Sequence, residues 1–353
     1  MATKKIRQSD IAEKLNITRT TVARAFSGEN ISAKTRERVL AAAKEMGYVH
    51  NGAAATLAMK KCKVVYAFIV GTIDEGYSDM IIKGMQDAVK LWSGYNFQIK
   101  VFVTDIKLRG NKCHEQIDQF YEVVGNERPD GVIFSALGQE NMDLVTAYCR
   151  ENEIPLMTLD AVSKNAELCH VGPDCYEFGE ATAAYLASLI KRQGKILAIS
   201  YDDGYEWSSL RMKGFFRWLR QNCPEIEVLN VEADNISRST YKRILKEYLE
   251  TFQPDAIYAP FKMDYIVQIL QEMEQERRYI LISNGINADI EKYLYSGIIA
   301  GIISSCPYQL GAIIANNFFK YFFRSTEVVK NEIDIGFDIY IKESYRKAAQ
   351  MRI

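Results

Sequence analysis

Apolar positions recur at helical spacing in three short runs over the first 48 residues. Ser9 caps the first run, 10–15, which places Ile11, Ala12 and Leu15 on one face. Asn16-Ile17 breaks the period. Thr18 caps a second run to about residue 26, with Val22, Ala25 and Phe26 facing inward, and Gly28 suits a left-handed stop. Ser32 caps a third, in which Val39, Ala42, Ala43 and Met46 recur before Gly47 ends it. Two short helices across a tight turn, braced by a third, predict a helix-turn-helix unit.

Beyond residue 63 the rhythm changes. Strand-like runs at 64–70, 98–103, 131–134 and 154–159 alternate with helical runs at 80–91, 113–124 and 141–152. A second block repeats this, with strands at 196–200, 226–231, 256–259 and 279–283 and helices at 176–191, 209–221, 241–251 and 264–275. Such alternation predicts parallel sheets wrapped by helices. The fold class is therefore an all-α helix-turn-helix headpiece followed by an α/β body of two doubly wound parallel-sheet lobes. The expected domains are 1–48, a linker at 49–62, and a body at 63–353, its lobes divided near 161–170. Ligands of such sheets sit at the carboxyl ends of strands, here in a cleft between lobes.

Charge sharpens the picture. The chain carries a formal −1, but residues 1–63 hold thirteen Lys or Arg against five Asp or Glu, a net +8, which leaves −9 elsewhere. A basic block on an acidic body points to a polyanion partner for the block alone. The seven cysteines are scattered without a C-x-x-C pair, and His50, His114 and His170 are dispersed, so neither zinc, a disulfide framework nor another cofactor is expected. With no membrane-length apolar run and no apolar leader, the expected location is the cytoplasm.

The second helix of a helix-turn-helix enters the major groove with its N-terminal residues toward base edges. Burying Val22 and Phe26 turns Arg19, Thr20 and Ala23 outward. Arg19 can donate twice to a guanine edge, and Thr20 can meet a base or a thymine methyl. Arg24, one turn on, can reach a base or a phosphate, while Thr18 and Thr21 are placed for phosphates.

These features, with "DIAEKLNITRTTVARAFSG", "SAKTRERVLAAAKEMGYVHN" and "AAATLA", make residues 6–59 resemble the headpiece of the LacI-type (lactose/galactose repressor) family of bacterial regulators. The resemblance implies base-reading roles for Arg19, Thr20 and Arg24. It also implies a hinge helix at 51–59 that folds on DNA in pairs, capped by Asn51. Ala53 and Ala54 allow close approach of two hinges, and Leu57 wedges into the minor groove. Two departures, His50 where proline is usual and Gly52, imply a looser hinge.

The likeness continues through the body, in "VGPDCYEFGEATAAYLA" (171–187), "LRMKGF" (210–215) and "CPYQLG" (306–311), which resemble the sugar-binding core shared with periplasmic binding proteins. It implies that Tyr77 stacks on an effector, that Asp160 accepts from adjacent hydroxyls, and that Arg211 reaches in from the second lobe. Phe261-Lys262 stands where an Asn-Asp pair is expected, Asn284 and Asn287 lie near a turn that lacks its aspartate, and Ser305 replaces a glutamine common among pentose binders. The effector site is thus expected at Tyr77, Asp160, Arg211, Phe261, Asn284 and Ser305. The aromatic run 318–323 reads as core or subunit interface.

The partners implied are a double-stranded DNA operator, a small-molecule effector (a sugar or sugar derivative) and a second copy of the chain. The expected function is a repressor switched by that effector, acting as a homodimer on a pseudopalindrome. An activator, or a body that senses a protein or a non-sugar ligand, uses the same headpiece. An enzyme is disfavoured by the lack of a nucleophile elbow, phosphate loop or metal cluster. Asp202-Asp203 near Glu206 fits a turn better than acid–base chemistry.

Overall fold

The fold is described from a computed structural model over residues 6–27, 31–46, 48, 62–71, 76–105, 112–160, 168–202, 206–324 and 332–345. Asn51, Ala54 and Leu57, like Gly28 and Gly47, lie outside the described residues.

The headpiece comprises α1 (Gln8–Leu15), α2 (Arg19–Ser27) and α3 (Ala33–Glu45). Its core is Ile11, Ala12, Val22, Ala25, Phe26, Val39, Ala42 and Ala43. The first cap differs from expectation. Arg7, not Ser9, is the N-cap, and its backbone N–H donates to Asp10 Oδ2 at 2.7 Å, so the carboxylate starts the helix two residues earlier. Thr18 caps α2 as expected, accepting from Thr21 N at 3.1 Å, and Ser32 caps α3 through Thr35 N at 3.2 Å. Asn16, at φ 52°, turns the chain between α1 and α2.

The first lobe is built on a sheet ordered β11-β5-β4-β3-β1-β2, with every pairing parallel. Its strands are β1 (Lys63–Gly71), β2 (Phe97–Asp105), β3 (Gly131–Phe134), β4 (Leu156–Leu159), β5 (Cys169–Gly172) and β11 (Glu332–Asp334). Val65, Ala67 and Ile69 of β1 pack on α4 (Tyr77–Leu91) and α12 (Pro307–Phe323). Tyr66 and Phe68 face the other way, onto α5 (Lys112–Asn126) and α6 (Gln139–Glu151). A strand buried on both faces reads as a continuous apolar run, which is why 64–70 shows no alternation.

The second lobe repeats the plan in the order β12-β10-β9-β8-β6-β7. Its strands are β6 (Gly194–Ser200), β7 (Ile226–Glu232), β8 (Ala256–Tyr258), β9 (Ile280–Ser283), β10 (Gly301–Ser304) and β12 (Asp338–Tyr340). Ile196 and Ala198 meet α7 (Cys175–Leu189) and α8 (Glu206–Asn222). Leu197 and Ile199 meet α9 (Arg238–Thr251), α10 (Met263–Glu272) and α11 (Ala288–Ser296).

A single division near 161–170 does not describe the path. Among the described residues the chain passes between lobes three times: from β5 to α7, from β10 back to α12, and from β11 to β12. The last passage also breaks the expected parallel pattern. β11 ends at Asp334, at the carboxyl edge of one sheet, and β12 starts at Asp338 beside the same edge of the other. So short a link makes β12 run away from the cleft, antiparallel to β10. The return of α12 settles the aromatic run. Phe318, Phe319 and Phe323 are buried in the first lobe's core, with Phe319 stacked on Trp92 at 4.0 Å, while Tyr321 is exposed.

Among the described residues, each lobe has one helix pair in backbone contact through glycine. A Cβ on Gly311 of α12 would lie 1.9 Å from Ile81 O of α4, and one on Gly179 of α7 would lie 1.9 Å from Arg211 O of α8. Gly179 therefore sets where α8, and with it Arg211, sits. Gly179→Ala should destabilise the protein by about 1–3 kcal/mol through forced separation of α7 and α8. Gly125→Ala, where an added Cβ meets nothing within 4 Å, should instead gain about 0.5–1 kcal/mol in its helix. Denaturant unfolding of both variants checks the pair, and equal effects would contradict the close-approach argument.

Candidate functional site

The expected effector residues come together at the carboxyl ends of strands, on both sides of the cleft. Tyr77 opens α4 beyond β1, and Asp160 follows β4 in a left-handed turn at φ 61°. Phe261, Asn284 and Ser305 follow β8, β9 and β10, and Arg211 projects from α8. This is where open parallel sheets leave backbone and side chains uncovered by helices.

The polar centre is short of partners. Asp160 Oδ1 and Arg211 Nε are both buried without a hydrogen-bond partner. Burial pushes the Asp160 carboxyl above its usual range, against the pull of Arg211 and the Tyr77 hydroxyl. Burial also works against the Arg211 charge, yet Cys175, Tyr77, Asp160 and Tyr258 around it push its pKa up, so it stays protonated. The Tyr77 hydroxyl is raised well above its usual range by burial and by Asp160, and it accepts from Ser305 Oγ at 3.3 Å. Ser305 thus ties the β10–α12 passage to the first lobe's helix.

Aromatic rings hold the guanidinium from the sides. Arg211 lies over Phe178 at 4.5 Å and over Trp207 at 5.4 Å from the ring centroids. Trp207 in turn meets Phe261 edge-on at 6.1 Å, and Phe261 meets Tyr201 at 6.4 Å. Trp207, Tyr201, Phe178, Cys175 and Tyr258 were not singled out from the sequence. The helical spacing of Trp207 and Arg211, one turn apart on α8, was the available signal.

Asn284 has a supporting place. Its Oδ1 accepts from Tyr258 at 2.7 Å and its Nδ2 donates to Thr182 Oγ1 at 3.3 Å, which uses half of its hydrogen-bonding capacity inside the second lobe. Asn287 caps α11 through Asp289 N and Ile290 N. Lys262, at φ 54°, precedes α10 and lies over the Tyr265 ring.

On the headpiece, Thr18, Arg19, Thr20 and Arg24 are exposed on α2, and Thr21 is half-buried. The Thr18 and Thr21 hydroxyls are 2.8 Å apart, so the cap pre-orients both at the helix N-terminus. Among the described residues no cluster of three His, Cys, Asp or Glu side chains could hold a metal, and no helix is long and apolar enough to cross a membrane.

The Asp160 shift has a signed consequence. A carboxyl whose folded pKa is raised favours the protonated state, and its contribution is lost as pH rises through that value. Asp160→Asn should therefore raise the thermal midpoint of the ligand-free protein at neutral pH. The advantage should shrink as pH falls through the carboxylate range. A constant advantage across pH would contradict an uncompensated buried charge.

Residues 66–322 match the periplasmic binding protein domain family, and residues 9–51 match the family described as bacterial regulatory proteins, lacI family. The chain is 26% identical over 219 residues, 60% of each chain, to the protein named "Probable HTH-type transcriptional repressor ExuR" of Bacillus subtilis. It spans about half the length, 54%, of other curated relatives it matches. A LacI-type regulator structure from Bacteroides fragilis superposes with TM-score 0.69 at 21% identity, over 81% of this chain and 99% of that one. The sugar-binding protein of a sugar ABC transporter from Bacillus halodurans gives TM-score 0.69 at 19% identity, over 80% and 99%. The chain belongs to the periplasmic binding protein domain family through its body and carries the DNA-binding domain of the lacI family of bacterial regulatory proteins at its N-terminus.

Proposed function

We propose that the protein is a ligand-switched transcription repressor that binds a pseudopalindromic operator as a homodimer in the cytoplasm. A carbohydrate enclosed between the lobes changes its affinity for DNA. The observation that carries the effector reading is the pair of buried, partnerless atoms, Asp160 Oδ1 and Arg211 Nε, in an aromatic-walled cleft. A sugar hydroxyl is both donor and acceptor, so adjacent hydroxyls satisfy the carboxylate and the guanidinium together. The two charges belong to different lobes, so a ligand gripping both favours the arrangement that brings them together. That differential affinity supplies the coupling to DNA. The matched families, one regulatory and one of binding proteins, support a sensor rather than an enzyme.

In this reading Arg19 and Thr20 meet base edges, Arg24 a base or phosphate, and Thr18 and Thr21 phosphates. Asn51, Ala54 and Leu57 belong to the hinge that meets the minor groove. On an operator selected from random DNA by the full chain, Arg19→Ala should cost about 1–3 kcal/mol and relax selection at one base position. Equal weakening on selected and random DNA contradicts the base-reading role. Thermal unfolding of the full chain against a panel of neutral sugars tests the effector. A sugar at 100 times its dissociation constant should stabilise the body by about 2.7 kcal/mol.

A further inference from the structure

The apolar part of the cleft is as particular as its charges. Among the described residues, the buried apolar side chains that belong to none of the lobe cores include Leu137 and Phe261, beside Val70 at the end of β1 and the thiols Cys175 and Cys306. Leu137 and Phe261 both sit three residues beyond the end of a strand, the first after β3 and the second after β8. β3 pairs with β4, which delivers Asp160, so Leu137 shares an edge with the carboxylate. Phe261 reaches Arg211 through their common neighbour Trp207.

Three backbone groups at these positions that could otherwise bind hydroxyls are engaged within the protein. Leu137 N donates to Gln116 Oε1 at 2.9 Å, and Leu137 O accepts from Cys113 Sγ at 2.8 Å. Gln116 itself is fully buried and donates to Ser135 O at 2.8 Å, which locks the turn. Phe261 O accepts from the buried Tyr241 hydroxyl at 3.1 Å. At Leu137 both backbone groups are therefore engaged, and at Phe261 the carbonyl is, so the side chains are what these two positions chiefly add to the cleft. A hydroxyl placed there loses water and gains no partner, at a cost comparable to an unmade hydrogen bond. Asp160 and Arg211 are one carboxylate and one guanidinium, so as a pair they carry no net charge and suit a neutral ligand.

We infer that the cleft selects a neutral deoxy sugar, held by its hydroxyls on Asp160 and Arg211 and by its apolar, hydroxyl-less part against Phe261, Trp207 and Leu137. The inference rests on the carbohydrate reading above and narrows it to a class.

Calorimetric titration of the full chain tests it with matched sugars that differ by one hydroxyl: D-galactose and D-fucose, L-galactose and L-fucose, L-mannose and L-rhamnose. For the pair that binds, the deoxy member should bind about ten- to a hundredfold more tightly. Phe261→Asn should bring that ratio toward one, and Phe261→Leu should keep it. Equal affinity of the two members in the wild type, or an unchanged ratio in Phe261→Asn, overturns the inference while leaving a carbohydrate site in place. Absence of binding by all six sugars, with the chain folded, overturns the carbohydrate reading beneath it.

Discussion

A carboxylate and a guanidinium taken out of water must be paid for by hydrogen bonds, and in this fold those bonds are incomplete. Asp160 Oδ1 and Arg211 Nε stay unpaired although both groups are buried, burial raising the Asp160 carboxyl and the surrounding groups holding the Arg211 charge against it. Such a pair weakens the ligand-free protein and strengthens whatever supplies the missing partners. The rest of the body can be understood as the apparatus that keeps those atoms facing a common space.

That apparatus is backbone packing. Arg211 is fixed by the contact of its own carbonyl with Gly179, and by Phe178 and Trp207 on its two sides. Asp160 is fixed by a left-handed turn whose N–H donates to Val171 O at 3.0 Å. Tyr77 and Ser305 join the first lobe to the second passage between lobes. The three passages leave from carboxyl ends of strands, the same edges that carry the site, so relative motion of the lobes bears on the site and on its connections together. Small displacements in packed helices transmit poorly as continuous strain and well as a switch between two arrangements.

Much of this was legible in the sequence where local chemistry decides it. Thr18 and Ser32 announced their helices through capping, and the periodicity of Val22, Ala25 and Phe26 announced the headpiece core. The alternation of strands and helices gave both lobes. What failed was non-local. Nothing near Pro307 says that α12 returns to the first lobe; the signal is Gly311 fitting against α4, a contact between residues 230 apart in the numbering of Ile81 and Gly311. The antiparallel β12 follows from a short link between two sheets, which no period reveals. Ser9 was displaced as a cap because Asp10 reaches back to Arg7. Asn284, a polar residue at a strand end as a ligand residue should be, also supports the second lobe through Tyr258 and Thr182, a role that depends on two other elements. Trp207 went unremarked because its role depends on Arg211 and Phe261, one a turn away and one on another strand.

The most direct measurement is thermal unfolding of the full chain with and without its binding sugar, in the wild type and in an Asp160→Asn/Arg211→Met double variant. The account predicts that the double variant is no less stable than the wild type without sugar, and that sugar no longer raises its midpoint. A sugar-induced rise as large in the double variant as in the wild type would contradict the claim that these two unpaired groups hold the effector.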